Sequence, residues 1–402
     1  MLWVISSAAV GAAASDPPDS TWVQLQGLPA QGRAPIFAVA VDPANNQVVI
    51  AANSQGSVVR SANGGRSWST VHPGRTAIDA ISFSPFSNGL VLAGTRGDGA
   101  LVSHDAGSTW SVAAGLGGRS VRVFGFALTA IAAGTDHGVF TSEDGTSWTP
   151  SGLTTPGIRA LAVEAIHAPV RLLAGSDVEA AGGALTFFQS VDGGATWKRL
   201  TPALTGTMTL RLVSGPLPPT GNVRPLLAAT NSGLFASADN GATFNPLSGG
   251  GLLPTTDYTD VAFVTSHFDR FYVASDGGGS GSGGLWRTSD GGQTFPTLRP
   301  PQASVTALAV SNDEQPTLYV AMFQPSTHAA TLWAFHDTGG IPVGPTSGSS
   351  TVASAARKGN DSEASAFGRL LASPELPYVA LGFGAVVVIL VAVVNHFRGR
   401  YR

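Results

Sequence analysis

The sequence predicts an all-β chain folded as a seven-bladed β-propeller, and three observations carry that expectation. An eight-residue unit returns along the chain, in its cleanest form Ser190-Val191-Asp192-Gly193-Gly194-Ala195-Thr196-Trp197. The aromatic residues closing the units fall at Trp22, Trp68, Trp110, Trp148, Trp197, Phe244 and Phe295, between 38 and 51 residues apart. Each interval holds short alternating apolar runs, as in Ile78–Phe83, Leu90–Thr95 and Ala100–Val102. A period near 45 residues with four short strands is that of a propeller blade.

Each position of the unit has a physical reason. Asn63, Asp105, Asp144, Asp192, Asp239 and Asp290 can accept hydrogen bonds from backbone N–H groups just ahead and so close a turn. The glycine two residues later (one in the shorter copy at Asp144) takes backbone angles that a β-carbon forbids. The Thr/Ser-aromatic pair then opens a strand. The pattern resembles the Asp-box of the BNR-repeat propellers, such as sialidases and the photosystem II stability/assembly factor family. The resemblance covers roughly residues 20–340. The box aspartates read as turn-formers rather than catalytic groups, because they recur where an active site would need only one set.

Residues 1–14 are apolar and end in Ala12-Ala13-Ala14, which resembles the core and cleavage site of a secretory signal without its basic leader. An apolar tail is the alternative reading. Charged residues make up 12% and the net charge is -3, so nucleic-acid binding by bulk electrostatics is not expected. The absence of cysteine removes disulfides, thiolate chemistry and cysteine-based metal sites. It also argues against the sortilin family of Asp-box propellers.

The propeller is expected over residues 20–339. Trp22 has no box before it, whereas the last repeat ends in a half-box at Asp337 with no aromatic following. The two halves complement each other, so Thr21-Trp22 is expected to open the fourth strand of the seventh blade and close the ring. The boxes then share one face. The hairpins between second and third strands share the other, with longer ones expected at 177–183, 276–284 and 324–330.

Aligning the innermost strands puts Phe37, Asp79, Arg122, Arg159, Arg211, Asp260 and Thr306 near the mouth of the channel. Three arginines flanked by aspartates there would suit a carboxylate, sulfate or phosphate. The alternative is that neighbouring Arg and Asp side chains pair with each other. Gly32-Arg33-Ala34-Pro35 looks like the Phe-Arg-Ile-Pro sequence of sialidases, whose arginine binds the substrate carboxylate. Sialidases also need a Tyr–Glu nucleophile pair. Tyr258 and Glu164 are among the few residues available, and neither lies in a family motif. No catalytic residue is therefore assigned. The histidines are scattered without zinc-ligand spacing, so no metal or cofactor is expected.

Residues 340–375 are rich in Gly, Ser, Ala and Pro and read as an unstructured linker. Residues 376–397 carry no formal charge and are long enough to cross a bilayer as a transmembrane helix. The basic stretch 398–402 would then be cytoplasmic and the propeller extracytoplasmic. This order of segments also resembles bacterial C-terminal sorting tails. The chain is thus expected to be a membrane-anchored binding or scaffold module, with an anionic ligand or partner protein at the face opposite the boxes. A sialidase-like glycoside hydrolase and a photosystem-assembly-factor-like chaperone are the alternatives.

Overall fold

The computed structural model describes residues 19–28, 34–164, 170–176, 185–202, 204–251, 253–278, 282–340 and 342. Contacts divide the chain into Met1–Thr346, which holds all of these, and Ser347–Arg402. The expected signal at 1–14, most of the linker at 340–375, the apolar run at 376–397 and the basic end all lie outside the described residues.

Seven antiparallel sheets follow one another, six of them built in chain order from the channel outwards and the seventh taking its outermost strand from the N-terminus. Blade one is typical, with strands Ile36–Asp42, Asn45–Asn53, Ser57–Ser61 and Ser69–Pro73. Second strands such as Val91–Thr95, Ile131–Thr135 and Leu226–Thr230 are buried along their whole length. Both of their faces are covered, which explains why they read as unbroken apolar runs. Seven hydrophobic clusters fill the structure, one between each pair of adjacent blades. One joins Ile50 and Val58 of blade one to Ile78 and Val91 of blade two, and another joins Tyr319 and Ala334 of blade seven to Val39 and Val49 of blade one. Fully burying each such side chain contributes about 1.5–3 kcal/mol, so the ring is held mainly by face-to-face blade packing. Gly94 shows how tight that packing is. A β-carbon there would lie 2.4 Å from the Val121 carbonyl, where the inner strand of blade three begins.

The recurring unit folds as the sequence implies. Ser190 Oγ donates to Asp192 and accepts from Gly194 N, and Asp192 Oδ1 accepts from Thr196 N at 2.9 Å. Gly194 has φ +97°, and its carbonyl accepts the Trp197 indole N–H at 2.9 Å. The same bonds recur around Asn63, Asp105 and Asp144, and around Asp239 and Asp290 without the indole bond. Thr196 and Thr294 hold the Asp192 and Asp290 carboxyls down at about 2 by hydrogen bonds to the ionised form. These carboxylates are occupied in turns.

The ring closes at the N-terminus. Trp22–Gln24 pairs antiparallel with Ala329–His336, aligning Trp22 with Phe335. That places Trp22 where the other blades carry the box aromatic. Its neighbour at the box serine position is Phe335, so the indole instead stacks on that ring at 4.8 Å and donates to the Leu298 carbonyl of blade six.

Three expectations need correction. The long hairpin expected at 324–330 is shorter, because pairing continues to Gln324 and Ala329 and leaves only 325–328 as the turn. Blade six has three regular strands, and its fourth is reduced to a bridge between Trp286 and Thr297 beside Pro296, which lacks an N–H. The inner-strand alignment slips by one residue in blades five and six. Inner strands carry a bulge that skips Phe37, Asp79, Arg122, Arg159, Leu210 and Thr306. The blade five member is therefore Leu210, not Arg211. By the same register the blade six member is Thr259, whose N–H donates to Ala274 before Asp260 pairs with that residue, so Asp260 lies one step deeper.

Candidate functional site

The bulged residues meet at the channel mouth on the face opposite the boxes. They line a cavity of about 440 Å³ together with Arg96, Arg211 and Asp276. A bulge leaves one residue out of the ladder and re-aims its side chain, and here it does so at the same position of the inner strand in six blades.

The charges at this mouth fall into three groups. On blade two, Arg96 grips Asp79 with two parallel bonds, Nε–Oδ2 at 3.0 Å and Nη2–Oδ1 at 2.6 Å. The same guanidinium lies 5.6 Å from the ring centre of Phe37 on blade one. Arg122 and Arg159 occupy the bulges of blades three and four and line the cavity directly. On blade five, Arg211 reaches across to Asp260 of blade six, Nε–Oδ1 at 3.0 Å. Asp260 also accepts from Leu308 N of blade seven at 3.2 Å, so this carboxylate ties three blades together. Below it the channel continues as a second chamber of about 220 Å³, lined by residues including Ala38, Ala80, Ala307 and the Arg211–Asp260 pair.

The expected site residues are therefore only partly assembled. Asp79, Arg122, Arg159 and Arg211 come together, while Asp79 and Asp260 serve as arginine partners, as the pairing alternative anticipates. Arg33 lies outside the described residues. The sequence reading missed Arg96 and Asp276. Both occupy one structural position, the first residue after the second strand, following Thr95 in blade two and Ser275 in blade six. A charged residue directly after an Ala-Gly-Thr-like strand end is the signal that could have found them.

Asp276 is the unusual acid of the mouth. Burial first, and then a hydrogen bond and repulsion from the neighbouring Asp257 carboxyl, push it up to about 6. Gly278 N donates to its Oδ1 at 2.9 Å.

The residues considered for sialidase chemistry stand apart. Tyr258 is fully buried, its hydroxyl donates to the Pro254 carbonyl, and burial raises its pKa far above the ordinary phenol value. Glu164 ends the inner strand of blade four and faces Arg171 at 3.9 Å. No nucleophile–base contact links them.

No protein-family model matches the chain, and no curated protein matches it. Solved structures do share the fold. The chain of YCF48 from Cyanidioschyzon merolae superposes with a TM-score of 0.53 at 16% identity, over 78% of this chain and 98% of that one. A structure of YCF48 bound to a D1 peptide gives 0.56 at 17%, over 83% and 100%. U3-55K gives 0.58 at 12%, over 78% and 98%. At such low identities these superpositions show a shared fold and nothing more.

Proposed function

We propose that this protein is a non-catalytic binding module of the Asp-box propeller kind, which takes an anionic ligand or an acidic group of a partner at the mouth opposite its boxes. Residues 376–397 hold it at a membrane, with the propeller extracytoplasmic. The observation that carries the binding reading is the 440 Å³ cavity onto which Arg96, Arg122, Arg159 and Arg211 open from four consecutive blades. A guanidinium is always charged and presents planar paired donors that match a carboxylate or phosphate. The anchoring reading is supported by the uncharged run at 376–397 and the basic end after it.

A sialidase-like hydrolase is disfavoured by the burial of Tyr258 and its separation from Glu164. A role in photosystem assembly has only the common fold with YCF48 behind it. One of those neighbours was solved with a peptide, which makes carboxylate-bearing peptides sensible probes.

The test is a thermal-shift screen of acetate, sulfate, phosphate, a uronic acid, sialic acid and short peptides against the wild type and Arg159→Ala. A ligand at one hundred times its dissociation constant adds about 2.7 kcal/mol, which a melting curve detects. Stabilisation by an anion that disappears in Arg159→Ala supports the site. If no anion shifts the melting temperature and Arg159→Ala merely destabilises, the arginines are structural and the reading fails.

A further inference from the structure

The face of the boxes carries most of the exposed large apolar side chains of the propeller. Inner strands start at the mouth, so the hairpins joining first to second strands emerge on the opposite face, beside the boxes. Backbone bonds show the shared face, since Ala106 N of the blade two box donates to Gly89 O of that blade's first hairpin, and Gly291 N of blade six donates to Asp269 O. Among the described residues six large apolar side chains are markedly exposed, and five of them lie on this face. Phe86, Leu128, Leu217 and Phe268 stand in the first hairpins of blades two, three, five and six, and Val191 in the box of blade four, at 36–67% exposure. The sixth, Val112, is on the outer strand of blade two. Turn positions ordinarily go to small polar residues. Several of these apolar tips are held in shape locally. Ser84 Oγ accepts from Phe86 N and Ser87 N, Ala127 N donates to Ala130 O at 2.7 Å, and Arg224 Nη1 donates to Gly215 O at 3.0 Å. The chain leaves the propeller on the same face, where Arg287 holds the carbonyls of Gly339 and Gly340 at the blade seven box position.

We propose that the box face is a bilayer-docking surface, its apolar hairpin tips seated among the lipid headgroups and the arginine mouth turned away from the membrane. The inference rests on the anchoring reading above and deepens it by naming the face that meets the lipid. Residues 341–375 separate the held carbonyl of Gly340 from the apolar run at 376–397. At full extension such a stretch spans roughly 115–126 Å, so the tether alone would let either face approach. The apolar tips decide between the faces. They come from five consecutive blades and are spread around one side of the ring. That suits a flat apolar medium, touched at separate points, better than a single groove on a protein. Each tip seated at the interface removes apolar area from water. The gain per tip is small, but a tethered face needs only weak affinity, because the tether fixes its effective concentration at the bilayer. The ionised box carboxylates Asp105, Asp144, Asp192, Asp239 and Asp290 share the face, so the lipid it fits is neutral overall rather than anionic.

The chain contains no cysteine, so single labels can be placed on it one at a time. Leu128→Cys and Phe268→Cys probe the box face. Gln55→Cys, exposed in the hairpin from second to third strand of blade one, probes the mouth face. Each variant of the full chain carries an environment-sensitive fluorophore and is reconstituted in phosphatidylcholine vesicles, part of whose acyl chains bear a nitroxide near the headgroup. The expected result is blue-shifted emission and nitroxide quenching at positions 128 and 268, and neither at position 55. Adding Phe86→Ser and Leu217→Ser should reduce the quenching at 128 while the chain still floats with the vesicles. Exchanging part of the phosphatidylcholine for phosphatidylglycerol should weaken it as well. If no label is quenched although the chain floats with the vesicles, the propeller stands clear of the bilayer, the docking inference is overturned and the anchoring reading stands. Quenching at position 55 alone, or quenching that strengthens with phosphatidylglycerol, assigns the contact to the arginine mouth and also overturns it. A chain that does not float with the vesicles defeats both readings.

Discussion

Replacing Asp337 by Ala should cost far more than the same change at any other box position. Asp337 holds the aspartate position in blade seven, but its surroundings differ from those of the exposed box carboxylates. Its side chain is 0% exposed, and it pairs with Arg287 and Arg270, whose side chains are only 13% and 18% exposed. Tyr272, itself buried, donates its hydroxyl to Asp337 Oδ2 at 2.6 Å, and Gly339 N donates to Oδ1 at 2.9 Å. Arg287 also donates to the carbonyls of Gly339 and Gly340 at 2.7 and 3.0 Å, holding the chain where it leaves blade seven. Removing the carboxylate strands two nearly buried guanidinium groups and a phenol. Breaking a buried pair of this kind costs about 3–5 kcal/mol. At about 2 °C per kcal/mol for a domain of this size, the melting temperature should fall by roughly 6–10 °C. Asp192→Ala removes a turn-former in open solvent and should lower the melting temperature much less. The assay is thermal and urea unfolding of both variants beside the wild type. A triple variant with Arg270→Met, Arg287→Met and Asp337→Leu should recover much of the loss, because apolar side chains of similar volume often replace buried ions without penalty. An Asp337→Ala protein that melts within about 2 °C of the wild type would refute the buried-ion argument.

Two further expectations concern pH and topology. Asp276 is raised from its ordinary 3.8 to about 6, so the folded state binds the extra proton between those values and stability should rise as pH falls through that window. Asp192 and Asp290 are held near 2, so their contribution is present above pH 3.8 and is lost on further acidification. The melting temperature should therefore pass through a maximum near pH 4, and Asp276→Asn should flatten the limb between 4 and 6; an unchanged limb in that variant would remove Asp276 as its source. For topology, protease added to intact cells or spheroplasts should digest the propeller and spare the end after Phe397. Protection of the propeller would contradict the extracytoplasmic arrangement.

How far the fold was legible from residues alone follows from which interactions are local. The boxes close within eight residues, so the Ser, Asp, Gly and Thr that bond to one another lie together in the chain. Their copies count the blades directly. Closure was legible for the same reason, since the half-box at Asp337 and the unaccompanied Trp22 are two pieces of one local motif. The mouth is different, because its contacts join residues from separate blades. The inner strands of blades five and six, Thr209–Ser214 and Asp260–Phe263, mix buried and half-buried positions without strict alternation, so their phase is not set by the pattern. A one-residue bulge therefore leaves no trace in the pattern, which is why Arg211 and Asp260 were placed one step too high. Which arginine takes which aspartate was decided by the same three-dimensional register. Arg96 reaches Asp79 within blade two, and Arg211 reaches Asp260 across to the next blade. Asp276 meets Asp257 only because a hairpin and an inter-blade connection converge at the channel. Local hydrogen bonding thus set the architecture from sequence, whereas the charge pattern of the mouth arose only when seven separately legible blades were brought into register around one axis.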